Sequence, residues 1–165
     1  DDKLVWSQFQ MKSILKQWIR PSLCAEYISC KALHQLLIAK DENDLIKKIG
    51  DLHGEHIVPY NYIKDKILDA CESYNLTIDY FRQLCSLLKI ALITKDQAKE
   101  LDSSGLKQNM PKEWKIGHPL TDRLDKQHLC YIKLTDDIRY LLSEAYCSCA
   151  KAKLEDILHV NCKFL

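Results

Sequence analysis

Residues 59–94 read PYNYIKDKILDACESYNLTIDYFRQLCSLLKIALIT, and the fold turns on how this stretch is divided. Tyr60, Ile63, Ile67, Cys71 and Tyr74 recur at helical spacing, so the first half predicts a helix over 59–74. Asn75 to Thr77 breaks the pattern, with Thr77 placed to cap a new helix. Phe81, Leu84, Cys85 and Leu88 then fall at i, i+3, i+4 and i+7, which predicts that second helix over 77–89. Ile90 to Thr94 is a short apolar run that suits a strand. Further on, Leu129 to Leu134 alternates weakly and suits another.

Two helices followed by short strands over 90–94 and 129–134 are the order of a winged-helix-like element. Its wing would be joined by an unusually long loop. The alternative is a plain helical bundle in which both apolar runs are helix ends, because short apolar runs are not assigned by periodicity alone.

Working outward, the chain is mainly α in either case. Four Gly and four Pro in 165 residues are few, which disfavours a turn-rich all-β fold. Upstream, Met11, Ile14, Leu15 and Trp18 stripe a helix over 4–20 that Pro21 stops. A helical pattern resumes over 23–39, and a short helix to about Lys48 starts at Asp41-Glu42-Asn43-Asp44. Gly50 to Pro59 reads as a connector, and 95–127 as a polar loop. Downstream, Thr135 caps a helix whose face is Ile138, Leu141, Leu142, Ala145 and Cys149, and helical character persists through Leu158. The length suits a single domain over 1–165. It subdivides into N-terminal helices over 1–50, the winged-helix-like element over 56–134 and C-terminal helices over 135–165.

The charge balance is +1, which gives no global bias toward nucleic acid or acidic membranes. No run reaches the roughly 20 apolar residues that span a bilayer, and the chain opens Asp1-Asp2-Lys3, which is no signal peptide. Eight cysteines suit a disulfide framework in a secreted chain, and Asn75-Leu76-Thr77 is a glycosylation sequon. Several of the cysteines nevertheless stand in for apolar residues at helical spacing. The expectation is therefore an intracellular protein, in cytoplasm or nucleus, with reduced thiols.

Gly50-Asp51-Leu52-His53-Gly54 resembles the first metal-binding motif of the calcineurin-like metallophosphatases, in which an Asp and a His reach a dinuclear metal pair. The resemblance covers five residues, and the Gly-Asp-x-x-Asp-Arg and Asn-His-Glu blocks that complete such a centre are missing. His53 and His56 would share a face only on a helix, and Gly54 favours a turn. Cys147, Cys149, His159 and Cys162 are a zinc-competent set with unfavourable spacing, since on one helix the first two stand about 200° apart. No Gly-rich phosphate loop and no G-x-S-x-G is present, so the reading is not an enzyme and calls for no cofactor.

The function expected is a non-catalytic protein–protein interaction domain, a scaffold or adaptor in a larger intracellular complex. Trp6, Phe9, Trp114 and Phe164 are its candidate partner-binding residues, as aromatics off the main stripes, in a polar loop or at the tail. The alternative is a nucleic-acid-binding winged helix, which needs Lys64, Lys66, Arg82, Lys89 and Lys95 on one face. A further alternative is a secreted, disulfide-bonded, cytokine-like helical protein.

Overall fold

The computed structural model describes residues 25–144 and 147–161. The expected helix over 4–20, with Trp6 and Phe9, and the tail residues Cys162 and Phe164 lie outside them. Among the described residues are eight helices and a four-stranded mixed sheet, so the molecule is predominantly helical without being a pure bundle.

Strand β1 (Ala25–Ser29) is followed directly by α1 (Cys30–Leu37). A continuous helix over 23–39 is therefore not what forms. Ser29 is the switch: its backbone is extended and its Oγ accepts from the N–H of Ala32, which starts the helix one residue later. Helix α2 (Glu42–Asp51) is capped by Asp41 and runs past Lys48. Strand β2 (His53–His56) occupies part of the expected connector. Helices α3 (Tyr60–Glu72) and α4 (Ile78–Ser86) then form the anticipated pair, with Thr77 accepting from the N–H of Tyr80. Strand β3 (Ile90–Ile93) comes next.

The expected polar loop contains α5 (Lys95–Ser103) and the short α6 (Asp122–Asp125). Helix α5 starts at a reciprocal capping box between Thr94 and Gln97. Strand β4 (Tyr131–Lys133) leads to α7 (Asp136–Ser143), and α8 (Ser148–Asn161) begins as a separate helix.

The sheet order is β2-β3-β1-β4. β1 runs parallel to β3 and antiparallel to β4, and β2 is antiparallel to β3. The two strands expected to form a wing, 90–94 and 129–134, are both present but do not pair, because β1 lies between them. That position also explains why β1 escapes helical propensity: an inner strand satisfies its backbone groups on both sides.

Alternation along the strands divides the core. Ile28, Ile90 and Ile132 face Leu33, Leu36, Leu154 and Leu158 of α1 and α8. Ala91 and Ile93 face the other way, onto Leu101 of α5 and Leu124 of α6. A third cluster, of Val58, Ile63, Ile67, Leu84, Leu87, Met110 and Trp114, holds the α3–α4 pair. No helix among the described residues is long and apolar enough to cross a membrane.

Candidate functional site

Strand β2 carries the charged string His53-Gly54-Glu55-His56 at one edge of the sheet. Side chains alternate along a strand, so His53 and Glu55 share a face and His56 is on the opposite one. His53 Nε2 meets Glu55 Oε2 at 3.1 Å accordingly. The shared face that would make His53 and His56 a metal pair belongs to a helix, and none forms here. Asp51 ends α2 and pairs with Lys95 at 2.9 Å, so the phosphatase-like string follows a helix rather than a buried strand.

The centre of this edge is Arg123, fully buried on α6. Its Nε donates to Leu106 O at 2.6 Å, Nη1 to His56 O at 2.5 Å and Nη2 to Glu55 Oε1 at 2.6 Å. A buried guanidinium needs such company. Removing one partner of a buried pair costs about 3–5 kcal/mol. The arrangement staples the 104–125 segment to β2.

Beside it lies a cavity of about 370 Å³, lined among others by His53, His56, Tyr60, Asp102 and Lys107. His56 Nδ1 and the Tyr60 hydroxyl are buried there without a hydrogen-bond partner. Burial lowers the His56 pKa below its ordinary value and raises that of Tyr60. Lys107 is held by Asp102 at 2.8 Å, which raises its pKa. The cavity thus offers two uncommitted polar groups, a neutral imidazole and a phenol. It has no nucleophile–base–orienter chain.

A second feature lies at the turn between α3 and α4. Tyr74 is 83% exposed, Ile78 66% and Phe81 38%. Ile78 and Phe81 are three apart on α4 and share its outer face. The expected apolar face of α3 holds through Ile63 and Ile67 and then leaves the core, since Cys71 and Tyr74 are exposed. Tyr74 has φ of +57°. Its N–H donates to Cys71 O, and that of Asn75 to Ala70 O, the paired bonds of a left-handed helix ending that favours glycine.

Of the residues singled out from sequence, Trp114 is 5% exposed. Its Nε1 donates to Pro119 O at 2.9 Å and its ring meets Tyr62 edge-on at 5.4 Å. It tucks back into the core of the α3–α4 pair. The basic set is locally committed. Lys64 pairs with Asp65, Arg82 with Asp79, Lys89 with Glu26 and Lys95 with Asp51, while Lys66 lies over the Tyr62 ring.

Cys149 and His159 stand ten residues apart on one continuous helix, about 15 Å along its axis, and cannot reach the same zinc ion. Among the described residues, no group of three or more His, Cys, Asp or Glu side chains is placed to hold a metal. Cys30 and Cys130 are joined as a disulfide, while Cys71, Cys85, Cys147 and Cys149 are thiols.

Periodicity puts Phe81 on the buried stripe of α4 with Leu84, whereas it is 38% exposed beside Ile78 at the turn. No family profile, no curated protein and no solved structure matches this chain.

Proposed function

We propose that this is a non-catalytic protein–protein interaction domain that docks another subunit's apolar surface on the α3–α4 turn. The observation that carries the reading is the exposure of Tyr74, Ile78 and Phe81 within residues 74–81. Large apolar groups left in water cost solvation free energy that a partner recovers on binding, and aromatic anchors dominate such interfaces. Tyr74 also holds a backbone conformation that glycine adopts more cheaply, so the ring is kept there against local preference.

The helix pair α3–α4 followed directly by β3 keeps the helix–helix–strand part of a winged-helix-like order, while the strands 90–93 and 131–133 do not pair into its wing. In a nucleic-acid reader, α4 would be the reading helix. Its outer face carries Ile78, Phe81 and an Asp79–Arg82 pair, a poor electrostatic match for phosphate. The protein reading is therefore preferred.

The domain is placed in a larger intracellular assembly as part of the same proposal, on the ground that four of its described cysteines are thiols. The Cys30–Cys130 bond weighs the other way.

The test is cross-linking and co-purification of the full chain from native extract, beside Ile78→Asp plus Phe81→Asp and a Lys99→Glu control on α5. Both aspartates are placed on exposed positions near a helix N-terminus, where the fold tolerates them. A stoichiometric protein cross-linked to residues 74–81 is expected, retained by Lys99→Glu and weakened about 30-fold by the double variant, a hot-spot loss of about 2 kcal/mol. Undiminished binding by the double variant, or recovery of salt-sensitive nucleic acid alone, overturns the reading.

A further inference from the structure

Two cysteines one residue apart usually look away from each other on a helix, about 200° around its axis. Cys147 and Cys149 do not, because α8 begins between them, at Ser148. Cys147 is left in the capping position, and its side chain folds back until the two Sγ atoms are 3.0 Å apart. Cys149 is exposed and Cys147 half-buried, so both are reachable from solvent. Neither is committed to the core that holds α8, which is built from Ala150, Leu154 and Leu158.

From this contact the geometry points to a thiol–disulfide exchange site at Cys147 and Cys149, with a small-molecule disulfide as its co-reactant. Cys147 is the attacking sulfur and Cys149 the resolving one. Cys147 immediately precedes the first turn of α8, beside its free N–H groups, and its Sγ meets that of Cys149. The Cys149 contact is the largest influence holding the Cys147 pKa below the free-thiol value, and the same contact raises that of Cys149. Position separates the roles of two chemically identical groups: Cys147 stands at the N-terminal end of α8, where a thiolate is favoured, and Cys149 lies within its first turn.

The exchange runs in two displacements. Cys147 gives its proton to solvent, and its thiolate attacks one sulfur of the disulfide RSSR. A Cys147–SR bond forms, the RS–SR bond breaks and RS⁻ departs. Cys149 gives its proton to that RS⁻, making RSH, and the Cys149 thiolate attacks Cys147 Sγ. The Cys147–Cys149 bond forms as the second RS⁻ leaves and takes a proton from solvent. The protein dithiol has lost two electrons, and RSSR has become two RSH. Excess RSH drives the reverse.

The test uses the reduced full chain, oxidised glutathione and peptide mapping by mass spectrometry, with Cys71, an exposed thiol that contacts no other described cysteine, as the internal reference. In the wild type the expected product is a disulfide within the peptide containing residues 147–149. Cys149→Ser is expected to stop at a glutathione mixed disulfide on Cys147, formed at least tenfold faster than that on Cys71. Cys147→Ser is expected to leave Cys149 no faster than Cys71. Neither position belongs to the buried face of α8, and circular dichroism verifies the fold. Two free thiols in the 147–149 peptide under conditions that modify Cys71, or a Cys149→Ser variant that reacts at the Cys71 rate, overturns the assignment.

Discussion

His56 shows how a single side chain can set the acid limit of this fold. Its Nδ1 is buried without a partner, and in the imidazolium both ring nitrogens carry a proton, so Nδ1–H would be a buried donor with nothing to accept from it. Desolvation is the main reason its pKa lies below 6.5, and the cations Arg123 and His53 push the same way while Glu55 opposes them. The folded protein therefore binds fewer protons at this position than the unfolded chain does. It follows that the His56 contribution is intact above about pH 6.5 and is lost as pH falls through the depressed folded value. Urea denaturation from pH 7.5 down to 5 is expected to show a steeper fall in stability for the wild type than for His56→Gln. Parallel curves would mean that the imidazole is hydrated in solution.

At the scale of the element, three helices end in the same way and with different residues. α5 closes on Gly105 at φ +77°, α3 on Tyr74 at +57° and α6 on His128 at +52°. In each, the paired bonds of the left-handed ending are made, Gly105 N to Asp102 O with Leu106 N to Leu101 O, and correspondingly after α3 and α6. A side chain in this conformation costs roughly 1–2 kcal/mol, part of which glycine gives back through its freer unfolded chain. Tyr74→Gly is thus expected to raise the unfolding free energy by about 0.5–1 kcal/mol while weakening capture of the partner, both measured on the same preparation. A destabilised Tyr74→Gly would assign the ring to the fold instead.

Helix and strand signals differ in how far they are legible in the chain. α3, α4 and the Thr77 cap are readable because Ile63, Ile67 and Leu84 recur with helical period and are buried. The strands at 90–93 and 131–133 are readable as apolar runs, but their partner is not. β1 is five residues ending in the Ser29 cap, and the strong helical period of Leu33, Leu36 and Leu37 runs up against it. β2 is hidden by Gly54 and its histidines, which suit a turn until β3 is beside them. The Thr94–Gln97 capping box does announce α5, but the signal is faint because Leu101 is the only buried apolar residue of that helix. Neither the cavity at His56 nor the staple at Arg123 leaves a local mark, since Arg123 reaches residues 67 and 68 positions away.

For the whole molecule, the Cys30–Cys130 bond decides how the parts are held and in what surroundings. It joins the end of β1 to the entry of β4 across 100 residues, with the Cα atoms 5.5 Å apart and Cys30 N donating to Cys130 O at 2.9 Å. Every element from α1 to α6 lies inside the covalent loop, whereas α7 and α8 lie outside it and depend on packing against α1 and the sheet. Closing a loop of about 100 residues removes up to about 4.7 kcal/mol of chain entropy from the unfolded state, and measured losses on removing native bonds run about 2–5 kcal/mol. The unfolding free energy of the wild type is therefore expected to fall by about 2–5 kcal/mol when a strong reductant is added. The loss should appear as one cooperative shift, because the loop encloses all three core clusters wholly or in part. Two outcomes of that titration bear on where the protein works. A large loss marks a bond that the fold relies on and that a reducing compartment would forfeit, which argues for an oxidising one. Identical curves with and without reductant mark a bond on which the fold does not depend. The domain is then as stable among reduced partners as the intracellular reading requires.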